Sequence, residues 1–208
     1  MPDRLRTLPH AHRPVRDKGP LRYFLLHKPY GTLCQFTDDG GRPTLQSLFP
    51  VPGMYPCGRL DTDSEGLLLL SNDGAFQARI ASPTSKLWKT YWVQVEGIPA
   101  PEALERFRQG VVIEGKVTLP AKARLLEAPP ELPDRVPPIR VRKSIPDTWI
   151  EVQLREGRNR QVRKMTAAIG HPTLRLVRAA IGDFALDGLA PGEWREILLR
   201  EDSRPQRS

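Results

Sequence analysis

The segment Asp61-Thr62-Asp63-Ser64-Glu65-Gly66 sets three carboxylates at alternate positions ahead of a glycine, a pattern with several chemical uses. Oxygen ligands at this spacing suit a calcium loop. The twelfth position, where such a loop carries a bidentate Glu, is Asn72 here, and Pro56 and Gly58 preclude a good entering helix. Paired carboxylates also hydrolyse glycosides, with Asp61 and Asp63 on one strand face. Two residues apart on a strand is poor geometry for flanking a sugar. The structural alternative is a turn capped by Ser64 or Asp63, with Glu65 in a surface ion pair.

A second chemical signal is positive charge. Lys and Arg number 32 against 24 Asp and Glu, a formal net charge of +8. Residues 135–178 alone hold eleven Lys or Arg against Asp147, Glu151 and Glu156, so the whole surplus sits in this stretch. Concentrated charge suits a polyanion, because each cation that meets a phosphate releases condensed counterions. Once folded, the same stretch reads equally well as a basic surface facing water. Cys34 and Cys57 lie outside any C-x-x-C spacing and read as ordinary reduced thiols, without a disulfide framework or zinc cluster.

These residues need a scaffold, and 208 residues with 39% hydrophobic side chains suffice for one large domain or two small ones. The aliphatic run at residues 67–70 is far short of the ~18 residues needed to span a bilayer, and no apolar stretch opens the chain. A soluble, cytoplasmic protein is expected. Residues 1–20 hold five Lys or Arg, several prolines and no aromatic, which predicts a mobile basic tail; residues 201–208 form a second tail. Between them, residues 21–200 read as one domain.

Within that domain the apolar runs predict strands over residues 21–27, 32–36 and 67–70, and period-two alternation predicts strands over 91–96 and 149–154. Thr44 caps a short helix over 45–49, and a helix follows over 74–82. Pro101 and Gly110 bracket a helix, and Glu114-Gly115 turns a hairpin over residues 111–118. Five prolines between 129 and 138 make a stiff surface connection. A last helix spans residues 160–169, projecting Arg160, Arg163 and Lys164 from its first turns.

The residues then carry a resemblance. Gly58-Arg59-Leu60-Asp61 with Ser64-Glu65-Gly66-Leu67-Leu68, then Lys89-Thr90-Tyr91, then Glu156-Gly157-Arg158-Asn159-Arg160-Gln161-Val162-Arg163 resembles, in order and spacing, the motif series of the RsuA family of ribosomal RNA pseudouridine synthases. Gln35-Phe36-Thr37-Asp38 and the stretch from Pro137 to Pro146 are most similar to the family's large-subunit synthase E branch. The resemblance runs from about Leu21 to Leu198. It leaves no room before Leu21 for the S4 RNA-binding domain that many members carry, so RNA docking is expected from the catalytic domain and the tail.

The resemblance implies an α+β fold, a mixed and mainly antiparallel sheet in two lobes with the catalytic cleft across its middle. It implies isomerisation of uridine to pseudouridine in 23S ribosomal RNA or the assembling large subunit, by a monomer, with no cofactor and no metal. Asp61 would be the nucleophile, attacking C1′ or the uracil ring, or promoting a glycal route. Arg163 would form the salt bridge that holds and aims Asp61. Tyr91 would stack on the uracil and take part in removing the C5 proton, a role compatible with simple core packing on its strand. Extrusion of the base leaves a hole in the stem, which Arg59 would fill or, failing that, hold a phosphate beside. Arg158 and Arg160 would hold the flanking phosphates or only solvate the surface. The competing class is a non-catalytic RNA-binding protein on the same scaffold.

Overall fold

The computed structural model describes residues 19–82, 85–139 and 144–199. Residues 1–18 of the expected basic tail at 1–20, residues 140–143 of the synthase E-like stretch, and residues 200–208 lie outside the described residues.

The elements are β1 (Tyr23–Lys28), a single 3-10 turn (Leu45–Ser47), β2 (Tyr55–Pro56), β3 (Glu65–Ser71), α1 (Gly74–Ala81), β4 (Lys89–Glu96), α2 (Pro101–Gln109), β5 (Val112–Ile113), β6 (Lys116–Val117), β7 (Lys122–Leu125), β8 (Asp147–Leu154), α3 (Gln161–Ala168), β9 (Thr173–Ile181), β10 (Phe184–Ala185) and β11 (Trp194–Ile197). The main sheet runs β11-β1-β3-β9-β4-β8-β7. Every pairing in it is antiparallel except β3 with β9, which lie parallel over only two partner pairs, Glu65 with Val177 and Gly66 with Arg178. This short joint divides the sheet into two lobes.

In the first lobe β1 and β3 are apolar without alternation because both their faces are covered. Leu25, Leu67 and Leu69 pack on one side with Phe76 and Ile80 of α1, while Phe24, Leu26, Leu68 and Leu70 pack on the other with Leu45, Phe49 and Met54. Leu67 to Leu70 are all fully buried, each contributing roughly 1.5–3 kcal/mol by leaving water. Asp73 caps α1 by accepting from the Ala75 and Phe76 amides at 2.9 and 3.2 Å, and Tyr23 Oη donates to its other oxygen at 2.8 Å. One carboxylate thus starts the helix and ties it to β1.

In the second lobe β4 alternates as its sequence predicts. Tyr91, Val93 and Val95 enter a core with Leu104 and Phe107 of α2, Val162 and Met165 of α3, and Ile150 and Val152 of β8. The expected strand over residues 32–36 does not form. That segment makes one bridge, Leu33 to Thr44, and the Leu33 amide bonds Pro43 O while the Leu45 amide bonds Gln35 O, so its backbone groups pair with a local loop instead of a sheet.

The lobes meet where only glycine fits. A Cβ at Gly66, whose φ is +108°, would lie 2.4 Å from Arg178 O and 2.5 Å from Arg178 N. Beside it, Glu65 and Arg175 form a bidentate pair with both bonds at 2.9 Å, their side chains 3% and 7% exposed. The expectation of a surface ion pair for Glu65 is therefore corrected: its partner comes from β9, which covers it. Lys28 is likewise buried, donating from Nζ to Thr32 O at 2.8 Å and Pro29 O at 3.0 Å.

Burial pushes the Lys28 ammonium down to about 8, against the pull of nearby acids. Below that pH the group is charged whether the chain is folded or not. Between about 8 and the ordinary 10.5 the folded chain gives up its proton first, so stability rises with pH in this window, by about 3 kcal/mol. Cys57, pushed up to about 12 by burial, acts in the opposite sense above pH 9. Urea unfolding of the native chain against Lys28→Met, from pH 7.5 to 10.5, isolates the lysine. The native chain is expected to gain on the variant as pH rises, and a pH-independent difference contradicts this.

Candidate active site

The loop of residues 58–64, between β2 and β3, is held mainly through its main chain. The Gly31 amide donates to Thr62 O at 2.8 Å and Lys28 Nζ approaches the same oxygen at 3.5 Å. Arg178 Nη1 donates to Arg59 O at 3.3 Å, Arg163 Nη2 to Asp63 O at 2.6 Å, and Cys34 Sγ approaches Gly58 O at 3.9 Å. Within the loop the Ser64 amide donates to Asp61 O at 3.1 Å. Donors from three outside segments, residues 28–34, Arg163 and Arg178, and from Ser64 within the loop therefore fix the carbonyls, while the Asp61 side chain meets only a 3.9 Å approach of Arg160 among the described residues. Arg59 is exposed, and the Asp61 side chain is 38% exposed.

The loop forms one wall of a cleft of about 790 Å³ at the junction of the lobes. Asp61 and Arg59 line it together with Tyr91 of β4, Arg158 and Arg160 of the segment entering α3, and Arg178 of β9. Tyr91 is 9% exposed, so it packs in the second core and still borders the cleft. A register shift in the β4–β9 ladder between Thr90 and Tyr91 sets this residue opposite Arg178.

Arg163 is the exception among the expected residues. It belongs to α3 behind the loop and pairs with Asp63, Nε to Oδ2 at 3.4 Å, besides donating to that residue's carbonyl. The expected Arg163–Asp61 salt bridge is not the pairing seen, because the turn closed by Ser64 directs Asp63 toward α3 and Asp61 toward the cleft. Among the described residues the cation nearest to Asp61 is Arg160, with Nη1 3.9 Å from Oδ2. Arg160 clamps Asp63 with two bonds at 2.9 and 2.8 Å. It does so from a left-handed backbone, φ +50°, a conformation uncommon for a residue with a side chain. Burial alone would raise the Asp63 carboxyl, but the Arg160 hydrogen bonds and the charges of Arg163 and Arg160 bring it below its ordinary value.

Arg158 spends its guanidinium on the hairpin, donating to Lys116 O at 3.3 Å and Val117 O at 2.8 Å, with Nε 3.2 Å from Glu156 Oε2. Sequence reasoning passed over Arg178 and assigned no role to Lys89, both of which line the cleft. The signal available for Arg178 was its place in an otherwise apolar run, Leu176 to Ile181, where a charge needs a reason. Asn72 uses its side chain on the chain's beginning, accepting from the Arg22 amide at 2.8 Å and donating to Pro20 O at 3.0 Å.

A two-lobed mixed sheet with a carboxylate loop, a buried tyrosine and arginines around a central cleft defines a class. Residues 22–168 match the RNA pseudouridylate synthase family, and the chain belongs to it. A protein of Xanthomonas axonopodis pv. citri named ribosomal large subunit pseudouridine synthase E is 55% identical over 186 residues, 88% of this chain and 97% of that one. Its namesake in Vibrio parahaemolyticus is 51% identical, covering 91% of this chain and 79% of the relative. A solved pseudouridylate synthase superposes with a TM-score of 0.71 at 31% identity, over 86% of this chain and 71% of that structure. The family and the synthase E likeness expected from the motif series are thus shown, as is the fold. Among the described residues no helix is long and apolar enough to cross a membrane.

Proposed function

We propose that this enzyme isomerises a specific uridine to pseudouridine in 23S ribosomal RNA, acting in the cytoplasm as a monomer on the rRNA or the assembling large subunit. The observation that carries the reading is the state of Asp61, a carboxylate left open to a cleft large enough for an extruded nucleotide while its loop is pinned through the backbone. The relatives' names supply the substrate.

The reaction breaks the N1–C1′ bond, forms a C5–C1′ bond, and moves one proton from C5 to N1. Product and substrate are isomers, so the balance calls for no oxidant, reductant or group donor. Asp61 attacks and leaves again, or stabilises positive charge at C1′. Tyr91 faces the base. Arg59, exposed on the rim, fills the stem behind the extruded uridine. Arg160 stands beside Asp61 and holds a flanking phosphate, and Arg158, tied to the hairpin, does so from the far rim. Arg163 serves through Asp63, by keeping the loop in place.

The test is to map pseudouridine in the rRNA of cells with and without this protein. One 23S position should lose its modification and regain it on complementation; an unchanged map overturns the reading.

The geometry also ranks two arginines. Arg163, 14% exposed, loses a charged bond to the loop that carries Asp61 when changed to Leu, whereas Arg158→Leu frees only the hairpin. Arg163→Leu should reduce the single-turnover rate at saturating RNA by about 10- to 100-fold and Arg158→Leu by much less, given roughly 1.5–3 kcal/mol for a charge-assisted bond. Equal losses would mean that Arg163 acts as one more phosphate contact.

A further inference from the structure

Two cations in the cleft pair with no acid among the described residues. Lys89, at the start of β4, and Arg178, on the neighbouring β9, both line it, on the same side as Tyr91. Arg178 is 4% exposed and fixed by two carbonyls, Nε to Leu67 O at 2.8 Å and Nη1 to Arg59 O at 3.3 Å, while its Nη2 is buried without an acceptor. The Lys89 side chain has neither ion pair nor hydrogen bond among the described residues. Arg175, by contrast, meets both oxygens of Glu65, and Lys28 Nζ reaches the carbonyls of Pro29, Thr32 and Thr62. Burial and the charge of Arg178 both push the Lys89 ammonium below its ordinary value.

A site that holds two like charges together in a partly enclosed cleft costs stability and is repaid only by an anion. We infer that Lys89 and Arg178 form the seat for one RNA phosphate at the target nucleotide. Lys89 makes the contact from its mobile ammonium, and Arg178 stands behind it as a second, immobile charge. The seat lies between Tyr91, opposite Arg178 in the ladder, and the Arg59 carbonyl that Arg178 holds. A phosphate there anchors the extruded nucleotide by its backbone while the aromatic ring and Asp61 face base and sugar. It also ties the loop to occupancy, because the guanidinium that feels the phosphate is the one that fixes residue 59.

This inference rests on the reading of the chain as a uridine-modifying enzyme, and its test separates the two. A short RNA containing the target uridine is prepared with its natural linkages and with a neutral methylphosphonate in place of each phosphate flanking that uridine. Association and single-turnover isomerisation are measured for the native chain, Lys89→Gln and Lys89→Arg. Lys89→Gln should raise the half-saturating RNA concentration by about 10- to 100-fold, more than it lowers the saturated rate, and flatten the log–log salt dependence of binding by about 0.7–0.9. Lys89→Arg should recover most of the affinity. One of the methylphosphonates should weaken binding to the native chain and have little further effect on Lys89→Gln. If no single linkage shows this coupling, or if the salt dependence is unchanged in Lys89→Gln, the seat is not a phosphate site and Lys89 addresses the base. If the native chain forms no pseudouridine in any cognate RNA, it is the enzyme reading that fails.

Discussion

Asp61→Asn is expected to leave a folded protein that binds RNA within a few-fold of the native chain and forms no pseudouridine above background. The amide keeps the shape of the carboxylate but is a poor nucleophile and carries no charge to set against a cationic C1′. Structure gives a reason to expect intact folding. Asp61 is partly exposed, its carbonyl closes the turn through the Ser64 amide, and its carboxylate has only the 3.9 Å approach of Arg160 to lose. Product formation with enzyme in excess over RNA is the measurement, with circular dichroism confirming the fold. A residual rate within about tenfold of native would remove Asp61 from the bond-making step. The companion variant Asp63→Asn should fold less well, because Asp63 is the carboxylate that Arg160 and Arg163 share.

The second large effect is at the joint. Gly66→Ala places a methyl group 2.4 Å from a backbone oxygen of the neighbouring strand and forces a side-chain residue into φ +108°. Neither strain can be relieved by a rotamer change, since the obstacle is main chain at the sheet's centre. A loss of about 4 kcal/mol or more, the range reserved for severe core and backbone faults, is expected in urea unfolding. Gly74→Ala is the control: it opens α1 with no atom within 4 Å of the added carbon, and there alanine should be neutral or mildly stabilising. Comparable stability for the two variants would show that the parallel joint yields more easily than its two partner pairs suggest.

Where the sequence was readable, local rules matched tertiary demand. The Thr44 cap, the Pro101 and Gly110 bracket around α2, the Glu114-Gly115 hairpin and the alternation of β4 and β8 each appear in the structure close to where their patterns put them. The central strand β9 was not read at all. Its sequence, TLRLVRAAI, breaks the apolar pattern with two arginines that would ordinarily mark a surface. They are buried because their partners, Glu65 and the carbonyls of Leu67 and Arg59, lie more than a hundred residues earlier in the chain, and no window contains both halves of such a pair. The Arg163–Asp61 salt bridge implied by the resemblance is not the pairing seen, and motif order alone does not separate it from Arg163–Asp63. Alternate positions on a strand would face the same way, but residues 61–64 make a turn, which points the two carboxylates at different neighbours. Every other expected residue, Arg59, Asp61, Tyr91, Arg158 and Arg160, stands at the cleft. Motif order sufficed to gather them, because each motif flanks or ends an element of the same sheet.

Because the loop of residues 58–64 is gripped chiefly by its carbonyl oxygens, its position is largely indifferent to which side chains it carries. Substitutions at Arg59 or Thr62, both exposed, alter what the rim presents without disturbing the placement of Asp61. On the proposed reading, such an arrangement would decouple substrate preference from catalytic geometry. A lineage could then retarget the rim toward a different RNA stem by single changes, each of them nearly neutral for folding, while the Asp61 carboxylate stays where the backbone holds it.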